Sequence, residues 1–130
     1  MPTPDFTGLH RLGQVAVRVH DLDRAVTFYR DTLGVPFLFA APPGLAIFRL
    51  GDISLMLTVA ESPEFDHPAS ILYYLVDDVV AVHAVLADRG VAFVDAPHLV
   101  HRAPDHELWM CFFRDPDENL LALMARRPIA

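Results

Sequence analysis

Two stretches of this chain can be laid on each other, and that repeat narrows the possible folds more than any other feature. "VRVHDLDRAVTFYRDTLGVPF" aligns with "YLVDDVVAVHAVLADRGVAF" at an offset of 56 residues, placing Asp21 on Asp77, Gly34-Val35 on Gly90-Val91 and Phe37 on Phe93. An alternating apolar strand precedes each unit, and each Asp is of a type that caps a helix N-terminus. Leu22, Ala25, Val26, Tyr29 and Leu33 fall at helical spacing, as do Val79, Val82, Val85 and Leu86. Gly34 and Gly90 stand where a left-handed C-terminal cap is needed. Strand-like runs follow, at 36–41, 45–50 and 53–59 in the first half and at 91–95, 98–102, 107–114 and 120–126 in the second. The chain therefore reads as one α+β domain of two βαβββ modules, about 8–60 and 70–127, joined by an acidic linker at about 61–69, "ESPEFDHPA". Near the end, "RDPDEN" predicts a type I turn with Pro116 in its second position and Asp115 bonding the backbone.

Composition excludes several partners. No apolar run reaches the roughly 18 residues of a membrane span, and "MPTPDFTGLH" has neither a basic nor an apolar segment of a signal peptide. The single Cys111 fits a reducing compartment, so the expectation is a cytoplasmic protein. A formal charge of −7, with all ten basic residues Arg, works against nucleic acid, whose phosphates must be neutralised by cations. By charge alone, a neutral or cationic small molecule suits the chain better.

"LGQVAVRVHDLDRAVTFYRDTLGV", "FRLGDISLMLT" and "YLVDDVVAVHAVLADRGV" followed by "FFRDPDENLLAL" together resemble the vicinal oxygen chelate superfamily of glyoxalases, bleomycin-resistance proteins and dioxygenases. The resemblance spans about Leu12 to Arg126. It implies two modules curving into a half-open barrel around a pocket, and a homodimer. It also implies four inward positions that hold a divalent ion in the metal-dependent members, here Gln14, Met56, Ile71 and Ala122. Such ions are held by imidazoles and carboxylates, and only Gln14 offers a ligand of a kind the family uses. A one-residue slip in register would substitute Leu55 or Leu57, Leu72, and Leu121 or Leu123, none of them a ligand. No cofactor is therefore expected.

Other chemistry is sparse. His98, His101 and His106 lie near Asp105 and Glu107, but their spacing matches no standard zinc motif, leaving them weak metal candidates beside Gln14. Tyr73, His101 and His106 are weak candidates for acid/base work, with Arg18 as a helper. Cys111 sits in an apolar strand without a neighbouring base and reads as a core thiol. On the face carrying Gln14, alternation collects Ala16 and Arg18 from the first strand and Ser54, Met56 and Thr58 from the fourth. The second module adds Ile71, Tyr73, Ala122 and Met124, with Trp109 and Cys111 or, in the other register, Leu108 and Met110. Such a set describes an apolar ligand pocket with a few polar points. An inward Arg18 either clamps an anionic ligand group or pairs with an acidic residue at the rim. The leading expectation is a small-molecule binding protein without the family's metal. The alternatives are an isomerase, lyase or dioxygenase with a non-standard metal site or metal-free acid/base catalysis, and a partner-binding module with a large exposed apolar patch.

Overall fold

The computed structural model describes residues 8–42 and 44–129. Module one runs β1 (Gln14–Val19), α1 (Leu22–Thr27) continuing into a π-helical turn (Phe28–Thr32), β2 (Phe37–Ala41), β3 (Leu45–Leu50) and β4 (Ile53–Val59). Module two runs β5 (Leu72–Leu75), α2 (Val79–Asp88), β6 (Ala92–Phe93), β7 (His98–Arg102), β8 (His106–Arg114) and β9 (Leu120–Pro128). The sheets share a plan. β1 lies parallel to β4 in the order β1-β4-β3-β2, and β5 lies parallel to β9 in the order β5-β9-β8-β6, with β7 also paired to β8. The two sheets do not close into a barrel. Residues 60–71, between the modules, form no helix or strand.

Alternation explains the layering, since successive strand residues face opposite sides. Val17 and Val19, Leu55 and Leu57, and Ala46 and Phe48 turn inward beneath Leu22, Ala25, Val26 and Tyr29 of the first helical segment. In module two, Leu121, Leu123, Ala125, Cys111 and Phe113 pack with Val79 and Leu86. One buried apolar cluster contains both sets. Val85, expected on the packed side of α2, is exposed.

The repeat is more uneven than its sequence suggests. Asp21 caps α1 by accepting from Arg24 N at 3.1 Å, but α2 is capped by Asp78, which accepts from Val80 N and Ala81 N, and not by Asp77. The caps are thus 57 residues apart (21 to 78), while the left-handed glycines, Gly34 at φ +75° and Gly90 at φ +86°, are 56 apart (34 to 90). The extra residue of module one falls in the π turn, where Leu33 N donates to Phe28 O across five residues.

Module two's β8–β9 turn fastens onto module one. Asp115 Oδ1 accepts from the backbone N–H of Asp117 and Asn119, and its Oδ2 accepts from Tyr29 OH at 2.7 Å and Asn119 Nδ2 at 2.9 Å. Asp117 Oδ1 accepts from His20 N at 2.8 Å and Arg24 Nη2 at 2.9 Å, and Asn119 Nδ2 donates to Arg18 O. Asp115, Asp117 and Asn119 are all buried. Burial first, then the Asp115 charge and hydrogen bond, raise the Tyr29 pKa far above the ordinary phenol range, so Tyr29 acts as a neutral donor. The turn closes through Glu118 N bonded to Asp115 O, and Glu118 takes the left-handed φ of 66°.

Removing the Tyr29 hydroxyl leaves a buried carboxylate oxygen short of a donor. Tyr29→Phe is expected to cost about 2 kcal/mol, read as a lower urea midpoint at unchanged slope. A midpoint equal to that of the unsubstituted chain would show that the bond adds nothing.

Candidate functional site

β1, β4 and β3 turn a second face away from the core. Strand register sets Gln14 opposite Ser54, Ala16 opposite Met56 and Arg18 opposite Thr58, with Leu45 and Ile47 continuing the rows on β3. Above part of this face lies a cleft of about 790 Å³. Ala16, Arg18, Leu45, Met56 and Thr58 form its floor and sides, and Glu61, Ser62, Phe65, His67 and Ala69 form its other wall. That wall is the linker. Two tight turns, Phe65 N to Ser62 O and Asp66 N to Pro63 O, fold it back over the sheet. It is tied there by Arg18, whose Nη1 donates to Asp66 Oδ1 at 2.8 Å.

Ala16, Arg18, Met56 and Thr58, expected on the pocket face, line this cleft, and 61–69, expected as a linker, supplies its other wall. One signal was available: Phe65 is the single large apolar residue in an otherwise polar, Pro-containing run. Gln14 and Ser54 share the face without lining the cleft, and Gln14 Nε2 points to Met56 Sδ at 3.8 Å. Arg18 takes the rim-pairing alternative.

The module-two candidates do not join this cleft. Tyr73, Ala122 and Phe112 stand in one row across β5, β9 and β8, and Met124 pairs with Met110 in the next. The Tyr73 and Phe112 rings meet edge to face, 5.8 Å between centroids, on either side of the fully buried Ala122. Ile71 precedes β5 and is exposed. Trp109 belongs to the opposite face, paired with the buried Ala125 and packed on the core, with Arg127 stacked on its ring. Strand parity decides this, so Leu108 and Met110, the other register, share the side of Ala122 and Met124. Cys111 also faces the core, and burial, followed by the Asp95 charge, pushes its thiol up to about 11. At neutral pH it is a protonated packing group.

His98, His101 and His106 do not line the cleft either. His98 and His101 lie on the exposed strand β7, with His98 Nδ1 against Ala96 O, and His106 Nδ1 lies 2.8 Å from Asp105 Oδ1. Among the described residues, no three His, Cys, Asp or Glu side chains converge as metal ligands. By their donor chemistry, the side chains at the four positions where the resemblance sets the ion, Gln14, Met56, Ile71 and Ala122, do not fit a divalent ion. Gln14 offers one amide and is directed at a thioether, Ile71 and Ala122 offer no donor, and the Ala122 position is covered by two rings. Of Tyr73, His101, His106 and Arg18, only Arg18 lines the cleft.

A family model described as the Glyoxalase/Bleomycin resistance protein/Dioxygenase superfamily matches residues 11–123. The chain belongs to that superfamily. A Bacillus subtilis (strain 168) relative, uncharacterized protein YraH, is 30% identical over 129 residues, covering 87% of this chain and 96% of its own. Among solved structures, lactoylglutathione lyase from Agrobacterium tumefaciens superposes with a TM-score of 0.69 at 21% identity, over 91% of this chain and 95% of that one. A superfamily member from Sphaerobacter thermophilus DSM 20745 superposes with a TM-score of 0.72 at 20% identity, over 90% and 98%. At these identities the structural likeness is one of fold. No helix among the described residues is long and apolar enough to cross a membrane.

The buried Ala122 yields a direct test. Ala122→Glu places a carboxylate at a fully buried position beneath the Tyr73 and Phe112 rings. The variant is expected to lose at least about 2 kcal/mol of unfolding free energy, with no recovery on adding zinc, nickel or manganese. Metal-dependent recovery would show that the corner still forms a coordination site.

Proposed function

We propose that this superfamily member binds a small organic molecule in the cleft between the β1–β4–β3 sheet and the 60–69 strap, without the divalent ion used by metal-dependent relatives. The observation that carries the reading is the cleft itself. It has the size of a small-molecule site, and its floor comes from Ala16, Leu45 and Met56 while its cover includes Phe65. Burying an apolar body between these groups requires neither a base nor an ion. The donor chemistry at Gln14, Met56, Ile71 and Ala122 supports the metal-free part of the proposal.

The same reading makes the chain a cytoplasmic homodimer. Support for the dimer comes from edge strand β5 and its approach, where Ile71, Tyr73 and Leu75 are 41%, 45% and 63% exposed. Sedimentation velocity reads the oligomeric state.

A neutral fluorescent probe tests the cleft. N-phenyl-1-naphthylamine is expected to bind with one site per chain. Ala16→Trp, which fills the floor from an exposed strand position, should weaken that binding by at least about tenfold while leaving thermal stability nearly unchanged. Equal binding by this variant, or none by the unsubstituted chain, would refute the site.

A further inference from the structure

The cleft's charge is confined to a few groups. Among the lining residues, Arg18 carries the only permanent positive charge, Glu61 the only carboxylate, and His67 is the one other ionisable group. Arg18 is mostly enclosed, with 17% of its side chain exposed, yet its hydrogen bonding is incomplete. Nη1 reaches Asp66 at 2.8 Å, while Nε is buried and meets no acceptor among the described residues. A guanidinium fork accommodates two parallel bonds to one oxyanion, and here a single carboxylate oxygen is engaged. The Asp66 side chain is 53% exposed and sits on the strap, outside any helix or strand, so it exchanges for water at little cost.

We infer that Asp66 is an internal stand-in for the ligand, and that the cleft takes an apolar molecule bearing one oxyanion group that displaces Asp66 from Arg18. This rests on the reading of the cleft as a small-molecule site and assigns its ligand class. Single charge follows from the balance of the site. One guanidinium is matched by one carboxylate, so a monoanion exchanges like for like. A dianion would place surplus negative charge beside Glu61 in a chain of formal charge −7. The ligand's oxyanion would take Nη1 and Nη2 together in an end-on fork, where Asp66 engages Nη1 alone, while its apolar body lies against Met56, Leu45 and Phe65. The local geometry thus opposes the preference for neutral or cationic partners suggested by net charge. At contact distance, one enclosed guanidinium outweighs distant, screened surface charges.

The test compares matched competitors, 4-phenylbutyrate and the neutral 4-phenylbutanol, for displacement of N-phenyl-1-naphthylamine from the full chain. The acid is expected to displace the probe at about tenfold lower concentration than the alcohol. Arg18→Met should erase that difference. Asp66→Asn, a substitution outside the core, should raise the potency of the acid relative to the alcohol several-fold, and it keeps the test open if Arg18→Met fails to fold. Probe binding with equal potency of acid and alcohol would overturn the oxyanion assignment alone, as would an acid preference that survives Arg18→Met or is unmoved by Asp66→Asn. Failure of the probe to bind would overturn the cleft reading and this assignment together.

Discussion

The buried carboxylate of Asp115 is the contact on which the arrangement of the two modules turns. Its two oxygens take four donors, two from the backbone of its own turn, one from Asn119 and one from Tyr29 of the other module. A charge removed from water is tolerated only when such donors replace the lost hydration. The apolar cluster spanning both modules has no directional preference. The Asp115, Asp117 and Asn119 contacts to Tyr29, Arg24, His20 and Arg18 set the register between β1 and the β8–β9 turn. The end of β1 that carries Arg18 is therefore held by a turn about a hundred residues further along the chain.

That anchoring links fold to site. Asn119 fixes the Arg18 carbonyl from one side, and Asp66 holds the Arg18 guanidinium from the other. The first contact is part-buried and built from the fold; the second is half exposed and carried by the strap. A cleft wall held by a solvated ion pair yields more readily than one held by a buried network, because exposed pairs contribute about 1 kcal/mol or less. The proposed entry of a ligand past the strap uses the weaker of the two fastenings.

Much of the fold was legible because strand alternation, Asp caps and cap glycines are local signals. Leu22, Ala25, Val26 and Tyr29 are buried as their spacing requires, and Gly34 and Gly90 take the left-handed conformation expected of them. The π turn was not legible, because a one-residue insertion within a helix preserves both flanking signals and shows only as the change from 57 to 56 between caps and glycines. The second N-cap was misplaced for the same reason, since Asp77 and Asp78 are adjacent and the glycine-based offset selected the wrong one. Trp109 was ambiguous because an apolar strand such as "LWMCFF" has no polar residue to mark its outer face. The strap was missed because its role depends on a long-range pair, Arg18 with Asp66, that periodicity does not encode.

The chain joins the fold of the glyoxalase/bleomycin resistance protein/dioxygenase superfamily to a cleft lined mostly by apolar groups, with one guanidinium. A crystal structure of the chain, purified without chelator and soaked with N-phenyl-1-naphthylamine, tests that union most directly. Density for the probe is expected between Ala16, Met56 and Phe65, with no anomalous peak among Gln14, Met56, Ile71 and Ala122. A metal peak held by those four positions, or a probe seated on the Tyr73–Phe112 face with the cleft unchanged, would contradict it.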